Sequence, residues 1–188
     1  MKILLLCEPR SGSTQLARWF FSHKIDTRFE TTSRYGGWYL PDGINGIKYD
    51  TNKDLVLKEL YRTDWNSISE YINFCDKVIF LFRENTEEQI ISYDYGIRND
   101  VWYNFYAIEE GYKPLDSSIK YIEKLKKNFN LFRQNYSNNT LSISYEDLYQ
   151  RNKINKVIDF LNMEDKLTLD FPTGQKLRIN KDYKPSLI

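Results

Sequence analysis

The chain has 188 residues, of which 41% are hydrophobic and 28% charged, and its formal net charge is +1. This composition is that of a globular protein, the length predicts a single domain over residues 1–188, and the near-neutral charge gives no reason to expect a nucleic-acid partner. The apolar run near the N-terminus is too short for a signal-peptide core or a membrane span, so we expect no integral membrane segment and a cytoplasmic location.

Four short apolar runs predict strands, at Lys2 to Cys7, Gly46 to Asp50, Lys77 to Phe82 and Thr140 to Tyr145. The clearest helical period lies at Asp116 to Tyr136. The first and third runs are almost continuously apolar, as strands covered on both faces of a parallel sheet are. The alternation predicts an α/β three-layer sandwich with a central, mainly parallel sheet.

The composition of two further segments predicts a loop and a solvated helix face. Residues 26–45 are rich in glycine and predict a long loop, and loops of that length inside compact domains are usually functional. A group of lysines in the helix predicted at Asp116 to Tyr136 indicates a solvated face rather than a binding patch. These lysines are Lys120, Lys124, Lys126 and Lys127.

The sequence CEPRSGST leads from the first strand directly into a predicted helix, where ligands of open parallel sheets bind. Gly12 lets the backbone approach an anion, and the amides of this turn and the helix dipole favour negative charge. We therefore predict that this loop binds a phosphate. The predicted ligands are Arg10, Ser11, Gly12, Ser13 and Thr14. The alternative is that Ser13 or Thr14 only caps the helix, which requires neither Arg10 nor Gly12.

A second phosphate site is predicted after the strand KVIFLF, which ends in Arg83. A nucleotide triphosphatase usually has a magnesium-binding Asp at such a place, whereas a cation repels magnesium and attracts phosphate. Thr86 and Gln89 have the spacing of a capping box, so a helix should begin at Thr86 and carry Ser92 on the same side as Gln89. Arg83 and Ser92 then bind the second phosphate, unless the Ser92 hydroxyl bonds back to its own helix.

The segments PRSGST, GIKYD, LFRENTEEQIIS and ISYEDLYQRNKINKVIDFLNM resemble the sulfotransferases that use 3′-phosphoadenosine 5′-phosphosulfate, particularly the bacterial carbohydrate and glycolipid sulfotransferases. The resemblance implies a P-loop NTPase-like fold and transfer of a sulfuryl group to a hydroxyl or amine without a metal. It implies that the loop from Arg10 to Thr14 holds the 5′-phosphosulfate of the co-substrate, and that Arg83 and Ser92 hold the 3′-phosphate.

The resemblance also suggests catalytic residues. In-line displacement places negative charge on the leaving phosphate, which Arg10 would stabilise with Lys48 of GIKYD as a possible partner. Glu30 corresponds to the proposed carboxylate base of the bacterial family, with Asp26 as the alternative. The only histidine, His23, is expected near the end of the first helix, too far from the loop for direct chemistry.

Late in the domain the family often closes a basic loop over the nucleotide, and this chain has candidates for that loop. They are Lys176, Arg178 and Lys181. Cys7 and Cys75 are too few for a disulfide framework or a metal cluster, and we expect two buried thiols. Two other functions remain open: a phosphotransferase of the P-loop kinase type, against which the missing Gly-Lys-Ser/Thr counts, and a catalytically silent domain that binds nucleotide or a partner protein.

Overall fold

The computed structural model describes residues 1–30, 47, 49–62, 68–100, 108 and 111–171. These residues form one sheet of five parallel strands, in the spatial order β2-β3-β1-β4-β5. The strands are β1 (Lys2–Cys7), β2 (Asp26–Phe29), β3 (Leu55–Leu60), β4 (Lys77–Phe82) and β5 (Thr140–Ser144). The described helices are α1 (Ser13–Ser22), α2 (Ile68–Phe74), α3 (Thr86–Asn99), α4 (Asp116–Gln134), α5 (Tyr145–Tyr149) and α6 (Asn155–Leu161). The predicted α/β class is confirmed.

Both faces of the central strand β1 are buried, since successive side chains of a strand point to opposite faces. Ile3 lies in one core with Leu16 of α1 and Val157 of α6. Leu4 lies in a second core with Phe129 of α4. Helices therefore cover both faces of the sheet, which is compatible with a three-layer sandwich and explains why β1 lacks the alternation of a half-exposed strand.

The elements with the strongest sequence signals have the predicted bounds. β1 and β4 coincide with their apolar runs, β5 ends one residue before the predicted Tyr145, and α4 ends at Gln134 rather than Tyr136. The helix α3 begins at Thr86 as expected, but the predicted capping box is wrong. The Asn85 side chain is the cap, because its Oδ1 accepts a hydrogen bond from the Glu88 N–H at 3.1 Å.

Two predictions between β1 and β4 are wrong. Ile47, Tyr49 and Asp50, the described residues of the run predicted as a strand, are outside any strand, and the strand of this region is β3. Residues 26–45 are also not all loop, because β2 begins at Asp26. Sequence patterning missed β3 because Lys58 interrupts its apolar residues, although the Lys58 side chain is only 1% exposed.

A buried carboxylate joins α3 to the start of α4. Asp94, with no exposed surface, accepts hydrogen bonds from the Tyr112 hydroxyl at 2.5 Å, the Ser118 hydroxyl at 2.7 Å and the Leu115 N–H at 3.2 Å. Burial raises the pKa of Asp94, but the hydrogen bonds from Tyr112, Ser118 and Leu115 and the charge of Arg98 together hold the pKa below its usual value.

The depressed pKa of Asp94 predicts a pH-dependent contribution to stability. The contribution is present above the unfolded-state pKa, about 3.9, and is lost as the pH falls through the lower folded-state pKa. Asp94→Asn should therefore lower the free energy of unfolding by about 2 kcal/mol at pH 7, and by less at pH 3. Urea unfolding at both pH values measures this, with Asp159→Asn, an exposed carboxylate of α6, as the control. An equal loss at both pH values would contradict the interpretation.

Candidate functional site

The two predicted phosphate motifs lie beside each other at the carboxyl edge of the sheet. One follows β1 and the other follows β4, and these strands are neighbours. The chain leaves β1 toward β2 and β3, and it leaves β4 toward β5 on the other side. The boundary between β1 and β4 is thus the point where the strand order reverses, which is where open α/β sheets bind ligands.

The loop after β1 exposes a set of main-chain donors. Arg10 and Gly12 have positive φ values, 61° and 79°, which turn the chain sharply into α1. The N–H groups from Ser11 to Thr14 have no hydrogen-bond acceptor within the described part of the chain. They lie at the positive end of the α1 dipole, so the turn can bind an anion through its backbone.

The hydroxyls of this loop differ in their burial. The Ser11 hydroxyl is fully buried and donates to the Glu8 carbonyl at 2.7 Å. The predicted role of Ser11 in binding phosphate therefore rests on its amide. Ser13 is 5% exposed, whereas Thr14 is half-buried.

Gly12 is required by its neighbours as well as by its φ. A Cβ atom at this position would lie 2.6 Å from Cε2 of Tyr149 and 2.9 Å from Cδ2 of Tyr145. The Tyr149 hydroxyl also donates to the Gly12 carbonyl at 2.7 Å. The helix α5, formed by the YEDLY segment, thus packs directly against the loop and fixes its shape.

Arg83 is the charged centre of the second motif, and its side chain is only 3% exposed. Its Nη1 donates to the Arg10 carbonyl at 3.3 Å, and its Nη2 donates to Glu88 Oε2 at 2.6 Å. The guanidinium lies over the Tyr145 ring at 4.6 Å, and its Nε is 3.9 Å from Glu146 Oε1. Glu146 also accepts the N–H groups of Glu84 and Asn85, so α5 holds the turn after β4.

The two motifs are joined through side chains as well as through the backbone. Arg10 Nε donates to Ser92 Oγ at 2.8 Å, across 82 residues of sequence. Ser92 is 3% exposed and lies on the same side of α3 as Gln89, as predicted. The structure therefore brings Arg10, Arg83 and Ser92 into one cluster.

A buried carboxylate and a lysine that sequence reasoning missed support this cluster. Glu8 has no exposed surface, and its Oε2 accepts from the Arg83 N–H at 3.1 Å, from Gln89 Nε2 at 3.2 Å and from Lys126 Nζ at 3.4 Å. Lys126 also donates to Gln89 Oε1 at 3.0 Å and to the Arg83 carbonyl. The prediction that Lys126 is solvated is wrong, because its side chain is 15% exposed and points into the site.

Glu30 lies at the carboxyl end of β2, on the same edge of the sheet as the loop. Its N–H donates to the Lys58 carbonyl at 2.6 Å, and its Oε1 accepts from the Lys58 ammonium. Lys58 is a neighbour of Leu5 in the sheet, and its charge acts on the thiol of Cys7, which ends β1. Sequence reasoning proposed Glu30 but missed Lys58.

Several other predicted residues are remote from the cluster or outside the described residues. His23 follows α1 as its C-cap and bonds to the Trp19 carbonyl and to Thr168. Asp26 starts β2 at the amino edge of the sheet. The remaining predicted site residues lie outside the described residues. These are Lys48, Lys176, Arg178 and Lys181.

The two cysteines differ in exposure but not in the direction of their pKa shift. Burial raises the pKa of the Cys7 thiol to about 12, and it raises the pKa of Cys75 to about 12 as well. Both groups are therefore protonated thiols at neutral pH and poor nucleophiles. Cys7 is buried as predicted, whereas Cys75 is partly exposed.

Two other features, a metal-binding cluster and a membrane-spanning helix, are absent from the described ranges. No group of three or more His, Cys, Asp or Glu residues there is arranged to hold a metal ion. None of the helices assigned there has the length and apolar character needed to cross a bilayer. Comparison of the sequence with models of known protein families and with curated proteins found no match.

The contacts of Lys126 predict a large effect on stability. Lys126→Met removes one charge of a buried pair and leaves the Glu8 carboxylate without its cation, which should cost about 3 kcal/mol of unfolding free energy. Lys124→Met, at an exposed lysine of the same helix, should change stability by less than about 0.5 kcal/mol. Urea unfolding of the two variants tests this, and equal values would show that Lys126 is a surface residue in solution.

Proposed function

We propose that the protein transfers a sulfuryl group from 3′-phosphoadenosine 5′-phosphosulfate to a hydroxyl or amine, with a carbohydrate or glycolipid as the favoured acceptor. The observation that carries the proposal is the meeting of the two phosphate motifs at the switch point of the sheet, where Arg10 donates to Ser92 and Arg83 donates to the Arg10 carbonyl. A ligand with two separated phosphates is the chemistry that such a pair of motifs fits. We also propose that the fold is related to that of P-loop proteins.

The loop after β1 and Arg83 have complementary roles in this proposal. The open amides from Ser11 to Thr14 bind the 5′-phosphosulfate, and Arg83 with Ser92 binds the 3′-phosphate. Arg10, which lies between them, stabilises the charge that develops on the bridging oxygen of the leaving phosphate, because a fixed cation there acts more strongly on the transition state than on the ground state.

The transfer is an in-line displacement at sulfur. The acceptor oxygen or nitrogen forms a bond to sulfur while the bond from sulfur to the bridging phosphate oxygen breaks, and adenosine 3′,5′-bisphosphate leaves. Glu30 takes the proton of the acceptor, in a position fixed by its two hydrogen bonds with Lys58. Lys48 is proposed as a partner of Arg10, and Lys176 and Arg178 as part of a closing loop.

The cation at the end of β4 favours sulfuryl transfer over phosphoryl transfer. A P-loop kinase binds its phosphates with a loop lysine and magnesium, and the metal is held by a Ser or Thr and usually an Asp after a strand. Here Arg83 follows β4. The carboxylate that follows β1 is that of Glu8, and it already accepts hydrogen bonds from Lys126 and Gln89. This arrangement suits a phosphate better than a magnesium complex.

Ligand-induced stabilisation tests the nucleotide site. Adenosine 3′,5′-bisphosphate at about a hundred times its dissociation constant should add roughly 2.7 kcal/mol to stability and raise the melting temperature by about 5 to 10 °C, without magnesium. ATP, which lacks the 3′-phosphate, should do much less. Arg83→Ala should remove a contact of roughly 1.5 to 3 kcal/mol and erase most of the preference for the bisphosphate over adenosine 5′-monophosphate.

The same melting experiment identifies the competing functions. A larger shift with ATP and magnesium than with the bisphosphate would replace the proposal with a kinase. A shift with the bisphosphate, but no transfer of labelled sulfuryl groups to a panel of sugars and phenols, would indicate a silent nucleotide-binding domain. The melting temperature of Arg83→Ala without ligand controls for loss of folding.

Turnover measurements test the proposed base. Glu30→Gln keeps the shape of the side chain but cannot accept a proton at neutral pH, so it should abolish most turnover and leave the affinity for the bisphosphate almost unchanged. Asp26→Asn, at the opposite edge of the sheet, should keep turnover near that of the wild type. Loss of activity in Asp26→Asn alone would assign the base to Asp26.

A further inference from the structure

The side chain of Arg83 is covered on every described side, and only one of the covering groups is easily moved. The Arg10 carbonyl belongs to the main chain of the loop, and Glu146 is 5% exposed and fixed by two backbone N–H groups. Tyr145 is half-buried against Gly12. Glu88, in contrast, has a side chain that is 43% exposed, and it contacts Arg83 with one oxygen.

The carboxylate of Glu88 occupies the edge of Arg83 that a phosphate needs. Carboxylates and phosphates bind a guanidinium in the same way, through charge-assisted hydrogen bonds in the plane of the fork. Glu88 Oε2 accepts from Nη2 at 2.6 Å, and Nη1 is already bonded to the Arg10 carbonyl. Two anions in contact with the same Nη2 would repel each other, so a phosphate on this nitrogen competes with the Glu88 carboxylate.

On the basis of the proposed function, we infer that Glu88 is a built-in competitor of the 3′-phosphate for Arg83. A nucleotide with a 3′-phosphate displaces the Glu88 carboxylate into solvent, and departure of the nucleotide lets Glu88 return. Glu88 thereby keeps the charge of Arg83 paired and weakens binding of the bisphosphate product, which shortens its residence on the enzyme. A nucleotide with a free 3′-hydroxyl leaves the ion pair in place.

The exchange requires no change in the helix. Glu88 lies in the first turn of α3, and that turn is capped by Asn85 through the Glu88 main-chain N–H, not through its side chain. The Glu88 side chain can rotate away, or be replaced by Gln, without loss of this hydrogen bond. Gln89, the next residue, remains fixed on the buried side by Glu8 and the Pro9 carbonyl.

The chain contains a matched control for the charge of Glu88. Glu87 lies in the same turn, is exposed, and its side chain has no hydrogen-bond or ion-pair partner among the described residues. Glu87→Gln removes the same charge close to the site but breaks no contact with Arg83. A change in nucleotide affinity that both variants share therefore comes from the loss of a nearby charge. The additional change in Glu88→Gln measures the competition for Arg83.

Isothermal titration of the full chain at one ionic strength tests the inference. The ligands are adenosine 3′,5′-bisphosphate and adenosine 5′-monophosphate, and the proteins are the wild type, Glu88→Gln and Glu87→Gln. Glu88→Gln should bind the bisphosphate about 5-fold more tightly than the wild type and bind the monophosphate with unchanged affinity. Glu87→Gln should change either affinity by less than about 2-fold. Glu88→Ala should tighten bisphosphate binding like Glu88→Gln.

The two ligands separate failure of this inference from failure of the proposed function. If the wild type does not prefer the bisphosphate, Arg83 does not bind a 3′-phosphate, and both ideas fall. If the wild type prefers the bisphosphate but Glu88→Gln binds it no more tightly than Glu87→Gln does, the nucleotide site stands and the competition is overturned. Melting temperatures of the variants without ligand verify that each is folded.

Discussion

The arrangement of the site depends on one buried carboxylate, that of Glu8. A carboxylate with no exposed surface is unfavourable unless it is paired and hydrogen-bonded, and Glu8 receives donors from the residue after β4, from α3 and from α4. These three elements are therefore fixed with respect to the end of β1. The loop after β1 and Arg83 keep their relative position because the Arg83 N–H bonds to the Glu8 carboxylate and the Arg83 side chain bonds to the Arg10 carbonyl.

Burial of this carboxylate also explains the charge pattern of the site. Two cations of the site face carboxylates of the protein: Lys126 faces Glu8, and Arg83 faces Glu88 with Glu146 nearby. Buried charges are thus balanced locally, in a chain whose formal net charge is only +1. A phosphate that approaches Nη2 of Arg83 therefore meets an existing partner there, the carboxylate of Glu88.

The parts of the fold that the sequence predicts are those set by local patterns. β1 and β4 are continuously apolar, and α4 has a clear helical period, so their bounds follow from periodicity. β3 could not be found in this way, because Lys58 is buried and paired with Glu30, the residue after β2, a contact that no local pattern contains. The burial of Lys126 is likewise hidden from local patterns, because it depends on contact with Glu8, 118 residues earlier.

The YEDLY segment is another case in which long-range contacts matter more than the local pattern. As a sequence motif alone, it is weak evidence for a function. Its helix α5 supplies the Tyr149 hydroxyl to Gly12, the Glu146 carboxylate to the turn after β4, and the Tyr145 ring to Arg83. All three contacts are with the two predicted phosphate motifs. Because the positive φ of Gly12 and the position of Arg83 both depend on α5, the three segments form a single physical unit. The short helix α5 therefore constrains the proposed anion site, in which Gly12 lies 137 positions before Tyr149.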